Sequence, residues 1–236
     1  LQNHLASLGL MIGSISHGIK GLLTALDGGI YLLDSGIAKE NEVRIKEGWD
    51  TVKLTVERIR KMVMDILFYA KERDLRLERI DVRNFVEEIA KELEPKMKSQ
   101  KIEFVKDFDS DLGEFEADRA YVHSALNNII ENAMDACARD KTRKVHRIVF
   151  GVKKRQDELR FEISDNGIGM DSEAQKKLFT PFFSTKGSQG TGLGLFIANA
   201  VIEQHGGEIL VKSELRQGTL FQIIIPKLQS ESVAGA

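Results

Sequence analysis

Residues 165–195 read DNGIGMDSEAQKKLFTPFFSTKGSQGTGLGL, two glycine-rich turns enclosing a phenylalanine-rich run. The first turn, Asp165-Asn166-Gly167-Ile168-Gly169-Met170, follows directly on the alternating stretch Leu159–Ser164, which reads as a strand. An acid at a strand end followed by two glycines lets backbone approach a ligand closely while the carboxylate accepts from a base amine. The same letters also make an ordinary turn, and the local pattern leaves both readings open. The second turn, Gly190-Thr191-Gly192-Leu193-Gly194-Leu195, opens a helix expected over Leu193–His205. Glycines there expose N–H groups at the positive helix end, where phosphate oxygens bind well. The spacing is not G-x-G-x-x-G, because Leu195 stands where the third glycine belongs, and no Walker loop exists; a dinucleotide fold is disfavoured. Between the turns, Phe179, Pro181, Phe182 and Phe183 precede Thr185-Lys186 and the small polar residues Gly187, Ser188 and Gln189. That composition fits core packing or a lid over a ligand.

Upstream, Asp118–Ala138 reads as a helix with Ala125, Leu126, Ile129, Ile130 and Ala133 packing inward. Asn128, Glu131, Asn132 and Asp135 share another face of it. That face reads as solvated surface, or as a site where the carbonyl oxygen of Asn132 ligates Mg2+, a hard cation that prefers oxygen and is usually shared with phosphates. Further strands are expected at Ile80–Val82, Ile102–Phe108, Val145–Lys153, Glu208–Ser213 and Thr219–Ile225, with helices at Arg83–Ser99 and Asp171–Leu178. Helices with mostly antiparallel strands in this order predict a two-layer α/β sandwich.

The first 77 residues have a different grammar. Leu5, Leu8, Ile12, Ile15, Ile19, Leu22, Leu26, Gly29 and Leu33 recur at steps of three and four, as do Ile45, Trp49, Val52, Val56, Ile59, Val63, Ile66 and Ala70. Such a period makes a seam that must be buried against other helices. Ser35-Gly36, then Lys39-Glu40-Asn41, read as a stop, a loop and a new N-cap. The expectation is an antiparallel hairpin with arms of ~50 Å, dimerised into a four-helix bundle that covers both seams. Trp49 is expected in the core.

Composition narrows the class further. The 34 Lys+Arg and 36 Asp+Glu of the 236 residues leave a net charge of −2, with no bulk drive toward nucleic acid or an acidic membrane. Hydrophobic residues at 42% suffice for a sizeable core. The single Cys137 forms no internal disulfide and reads as packing rather than redox. There is no 18-residue apolar run and no signal-peptide pattern at the start. The reading is a cytoplasmic fragment without direct membrane contact. Residue 1 enters mid-heptad, so an upstream sensor domain is expected, and membrane anchorage of a longer parent stays open. The expected divisions are 1–77 for the hairpin, 78–228 for the α/β domain and 229–236 for a tail. His4, His123 and His146 lack metal-ligand spacing, and Lys141–Arg147 lacks the aromatic interleaving of a nucleic-acid site.

The four segments around Asn132, Asp165, Phe182 and Gly192 resemble, in order and spacing, the N, G1, F and G2 boxes of sensor histidine kinases, within the Bergerat ATPase superfamily. Residues 79–226 carry the resemblance, including His205-Gly206-Gly207 and Gly218-Thr219-x-Phe221. It implies an ATP site with Asn132 on the Mg2+ of ATP and Asn128 lining the same face. Asp165 would recognise the adenine amine, helped by Gly167 and Gly169. Lys186 and the backbone of Gly190, Gly192, Leu193 and Gly194 would hold the phosphates. Ser16-His17-Gly18-Ile19-Lys20-Gly21-Leu22-Leu23-Thr24 resembles the family's H box, which makes His17, at a heptad f position, the phosphoacceptor. The implied activity is autophosphorylation of His17 from Mg·ATP and transfer to an aspartate of a response regulator receiver domain, by a homodimer.

The pattern departs from the family at three places. Gly18 replaces the acidic residue that usually follows the histidine, Gly21 the polar residue used in dephosphorylation, and Leu22 the usual proline. Interior glycines cost about 1 kcal/mol each in a helix, so the first helix reads as pliable, with Gly9, Gly13, Gly28 and Gly29 adding to the effect. The competing reading is a degenerate ATP-binding module that pairs with another kinase and regulates it. A gyrase-like motor stands third, since its ATPase is not preceded by a histidine-bearing hairpin.

Overall fold

A computed structural model describes residues 2–70, 75–186 and 190–227, with the side chains of residues 2–15, 17 and 68–70 outside the description. The chain forms two compact units, Leu1–Glu72 with Leu178–Phe196, and Arg73–Lys177 with Ile197–Ala236.

The first unit holds helices α1 (Gln2–Ala38) and α2 (Glu42–Ala70), packed along their length as a hairpin. Asn41 caps α2 as expected, its Oδ1 accepting from Arg44 N (3.1 Å). The expected stop at Ser35-Gly36 is corrected: α1 continues through both to Ala38. Gly36 is there for close packing, since a Cβ would stand 2.8 Å from the Ile45 backbone nitrogen. Gly48 makes a similar approach, 2.7 Å from Leu33 N and 2.8 Å from Gly29 O, and a Cβ on Gly29 would meet Val52 at 2.9 Å. The expected pliability therefore needs revision, because Gly29 serves packing, while Gly21 and Gly28 face open space. Residues buried between the helices are Leu22, Gly29 and Gly36 on α1 and Gly48, Thr55 and Met62 on α2. Trp49, expected in the core, is 54% exposed, and Val56 and Val63, seven and fourteen residues further on, are open too. The helices meet along Gly48, Thr55 and Met62, with Ile45 and Val52 of the predicted seam beside Gly36 and Gly29 of α1 while Trp49, Val56 and Val63 stay open.

The second unit is the α/β sandwich. Its five-stranded sheet has the order β2 (Ile102–Phe108), β4 (His146–Lys154), β5 (Glu158–Asp165), β7 (Gly218–Pro226), β6 (Glu208–Glu214). Only β2–β4 is parallel. Helices α3 (Val82–Ser99) and α4 (Arg119–Arg139) pack on the sheet; α5 (Ser172–Lys177) and α6 (Gly194–Gln204) follow. Period-two alternation puts Ile148, Phe150, Val152, Leu159, Phe161, Ile163, Phe221, Ile223 and Ile225 inside, where α3 and α4 contribute Phe85, Ile89, Leu93, Leu126, Ile129 and Ile130. A separate antiparallel pair joins β1 (Glu78–Asp81), which overlaps the strand expected at Ile80–Val82, to β3 (Glu114–Ala117), which was not legible in the sequence; β3 has four residues, two of them Glu.

Caps set where the helices begin. Asp81 accepts from Asn84 N (2.7 Å) at the start of α3, and Asp118 from Tyr121 N (3.2 Å) at the start of α4. Buried His205 then ties α4 to the end of α6, with Nδ1–H on Val201 O (2.7 Å) and Nε2 accepting from Asp118 N (3.0 Å). No helix among the described residues is long and apolar enough to cross a membrane.

Candidate nucleotide-binding site

Asp165 is the last residue of β5, and the strand alternation that buries Leu159, Phe161 and Ile163 carries it to the same face. It is 7% exposed. Burial pushes its carboxyl up to about 6, against the pull of backbone N–H groups from Gly167 and Thr219 and of His146. Oδ1 accepts from Gly167 N at 2.8 Å. A buried carboxylate with this much desolvation and only backbone donors is suited to receive another N–H, such as a purine amine.

The glycines beside it do something the sequence reading did not anticipate. They admit protein backbone. A Cβ on Gly167 would stand 2.5 Å from the carbonyl carbon of Ala136 on α4, and the next residue's N–H, that of Ile168, donates to Ala136 O (3.3 Å). Gly169, with φ +63°, would put a Cβ 1.9 Å from Glu214 O, and Gly218, with φ +114°, 2.0 Å from Asp165 O. The β6–β7 turn is thus clasped onto the Asp165 loop. Arg216 N donates to Ile168 O (2.7 Å), and Met170 N to Ser213 Oγ (2.9 Å), which in turn donates to Gly218 O (3.0 Å). Asn166 fastens the other side, accepting from Arg147 N (2.8 Å) and donating to Val145 O (3.2 Å). Ser213 and Gly218 are positioning residues that were absent from the predicted site; the Gly218-Thr219 pair was quoted only as a signature.

Asn128 and Asn132 lie one turn apart on α4, half-buried, with Ala136 and the Asp165 loop a further turn along. Asn132 Nδ2 donates back to Asn128 O (2.7 Å). The other arm of the amide is an oxygen, the donor type a hard cation takes. The structure therefore groups Asn128, Asn132, Asp165, Gly167 and Gly169 in the second unit. Asp135, on the same predicted face, is exposed.

Lys186, Gly190, Gly192, Leu193 and Gly194 belong to the first unit. Gly192 has φ +67°, its carbonyl accepts from Phe182 N (2.9 Å), and Phe182 itself has φ +63°. Lys186 N donates to Ser184 Oγ (3.1 Å), Leu193 N to Thr191 Oγ1 (3.4 Å), and the Leu193 side chain is buried. Helix α6 starts at Gly194, one residue later than expected. The residues Gly187, Ser188 and Gln189, read as a lid, lie outside the described residues. His17 is in α1, and its side chain lies outside the description.

Cys137, His123 and Arg147 are structural. Burial pushes the Cys137 thiol up to about 12, so it is inert packing. His123 pairs with Glu92 (3.3 Å), and Arg147 makes two bonds of 3.0 Å to Glu103. Among the described residues no cluster of His, Cys, Asp or Glu is arranged to hold a metal.

Comparison with known proteins agrees on the class this sandwich defines, a nucleotide-binding ATPase domain. Residues 117–229 match the family described as "Histidine kinase-, DNA gyrase B-, and HSP90-like ATPase". The signal transduction histidine-protein kinase AtoS of Escherichia coli K12 is 30% identical over 223 residues, 94% of this chain and 35% of AtoS. The catalytic domain of the histidine kinase ThkA superposes with a TM-score of 0.56 at 30% identity, covering 64% of this chain and 98% of that domain. ThkA solved in complex with the response regulator TrrA gives a TM-score of 0.74 at 25% identity, over 96% of this chain and 64% of that one. The chain belongs to the sensor histidine kinases and comprises a catalytic core of that family. It spans about a third of the length of the curated relatives it matches.

Proposed function

We propose that this chain is the kinase core of a two-component sensor that phosphorylates His17 from Mg·ATP and passes the phosphoryl group to an aspartate of a response regulator receiver domain. The observation that carries the reading is the buried Asp165 loop seated on the turn of α4 that follows Asn132, a site that pairs an adenine acceptor with amide oxygens suited to phosphate-bound Mg2+. Asp165 accepts from the adenine amine, Asn128 lines the α4 face, and Gly167 and Gly169 hold the loop in place. Lys186 and the N–H groups of Gly190, Gly192, Leu193 and Gly194 bind the phosphates. Asn132 would hold Mg2+, which neutralises charge on the phosphates.

In this reading a neutral imidazole nitrogen of His17 attacks the γ-phosphorus in line. The bond from that phosphorus to the β–γ bridging oxygen breaks and ADP leaves. Such chemistry depends on positioning and charge stabilisation more than on covalent help from the protein. Because Gly18 provides no acid, the ring proton passes to water, and the missing base lowers the rate by about 10²–10⁴-fold. The division of labour is 1–77 for dimerisation and phosphotransfer, 78–228 for ATP binding, and a tail beyond. A homodimer is supported by the open apolar stripe of Trp49, Val56 and Val63 on α2 and Ile19, Leu23, Ile30 and Ile37 on α1.

The test is phosphoryl incorporation from γ-labelled Mg·ATP into this chain and into His17→Ala. Acid-labile, alkali-stable label that disappears in the variant is the expected result. No label in a protein that still binds nucleotide would favour a regulatory module that pairs with another kinase.

A further inference from the structure

Gly18, the residue after His17, lies under a contact. A Cβ at this position would stand 3.0 Å from Met62 Cε and 3.8 Å from Phe182 Cδ1, so Met62 of α2 presses on the bare backbone of α1 and the Phe182 ring lies within van der Waals reach of the same spot. Met62 is buried. Three residues on, a Cβ at Gly21 would meet nothing within 4 Å, so the contact is specific to position 18.

Phe182 has a second attachment. Its φ of +63° is rare for an aromatic residue and persists only where surroundings enforce it. Here they do: its N–H is bonded to Gly192 O (2.9 Å), and Gly192 lies so close that a Cβ would be 2.3 Å from the Phe182 carbonyl carbon. The neighbouring pair is just as tight, since a Cβ on Gly190 would meet Ser184 Oγ at 2.2 Å. One residue therefore links helix α1 with the Gly190–Gly194 turn, its ring lying near Gly18, next to His17, and its backbone held against Gly192.

We propose that Gly18 is a seat for Phe182, and that through this seat helix α1 positions the phosphate-binding turn. Phe182 and Gly18 are positioning residues. Seating pre-orders the turn, so less freedom is lost when phosphates bind. A displacement of α1 at Gly18 would loosen the turn, which gives the hairpin control over the phosphate end of the nucleotide while the adenine end at Asp165 is untouched. A long side chain at position 18 is therefore a hindrance to this seating. The inference rests on the assignment of Gly190–Gly194 to phosphate binding.

Two measurements on the full chain test it. Hydrogen exchange of the nucleotide-free protein should show faster exchange across residues 179–194 in Gly18→Glu, and no change in the Gly21→Glu control. This arm is independent of nucleotide, so it tests the seat even if the proposed function fails. In titrations, Gly18→Glu and Phe182→Ala should each weaken Mg·ATP binding by roughly tenfold, on the scale of one buried aromatic contact. Adenosine binding should change by less than about twofold, and the double variant should be no weaker than Phe182→Ala alone, as coupled residues require. Unchanged exchange in Gly18→Glu, additive losses, equal losses for adenosine, or tighter ATP binding would each overturn the proposal.

Discussion

In the α/β unit, alternate residues of β4, β5 and β7 are fully enclosed, with Ile148, Phe150, Val152, Phe161, Ile163 and Ile223 at 0% exposure. In the hairpin, four of the twelve heptad positions with described side chains stay open, from Trp49 at 54% to Val56 at 42%. A sheet with one buried face needs only its own helices to close a core. Two helices alone cover a single narrow strip of each other, and a 3.5-residue period presents more than that strip. The contrast teaches that apolar residues close a self-contained core in one unit and stay partly open in the other.

Four predictions break or sharpen that contrast. The largest effect belongs to Gly169→Ala, whose Cβ would collide with Glu214 O at 1.9 Å on a left-handed backbone. It should cost more than about 4 kcal/mol and abolish nucleotide binding, read by thermal melts and titration. Near-normal stability would mean the clasp between the Asp165 loop and the β6–β7 turn is not needed.

Next, charging the open seam with Trp49→Glu and Val56→Glu should weaken self-association by more than ~100-fold, or about 3 kcal/mol, with the ATP-binding unit unaffected. Sedimentation measures the first and nucleotide titration the second. An unchanged dimer would place the interface elsewhere.

The third prediction concerns pH. Burial raises the Asp165 carboxyl from 3.8 to about 6. A raised carboxyl favours the folded state while protonated, so its contribution is fully present below pH 4 and lost as pH rises through 6, by about 3 kcal/mol. Asp165→Asn should remove that slope from the stability profile of the nucleotide-free protein. Adenosine affinity has the opposite sign, rising as the carboxylate forms near pH 6, and the variant should bind weakly at every pH.

The smallest effects separate two adjacent glycines in α1. Gly28→Ala, in open space, should stabilise the hairpin by up to ~1 kcal/mol. Gly29→Ala, whose Cβ would meet Val52 at 2.9 Å, should destabilise it by about 1–2 kcal/mol. Equal responses would argue for pliability over packing.

Several site features were readable before any coordinates. An acid closing a strand, an asparagine pair one helical turn apart and a glycine turn opening a helix are local patterns, and local patterns survive in one dimension. Trp49 is open in the single chain because its heptad step specifies burial without saying against which helix. Gly36 was misread as a stop because the contact that requires it, with Ile45, lies across the turn. Ser213 escaped notice because a serine in a strand has no signature; its role exists only once Met170 and Gly218 are beside it.

Periodicity predicts the hairpin and the α/β layering, because side-chain direction follows from 3.5- and 2-residue repeats; the nucleotide site was implied by the resemblance of four segments to the boxes of the histidine kinase family. The tertiary structure decided which seam faces its neighbour, why Gly167, Gly169 and Gly218 are glycine, and that Phe182 rests on Gly18. Each of those depends on atoms brought within 4 Å from distant parts of the chain, and excluded volume between distant segments leaves no trace in local sequence.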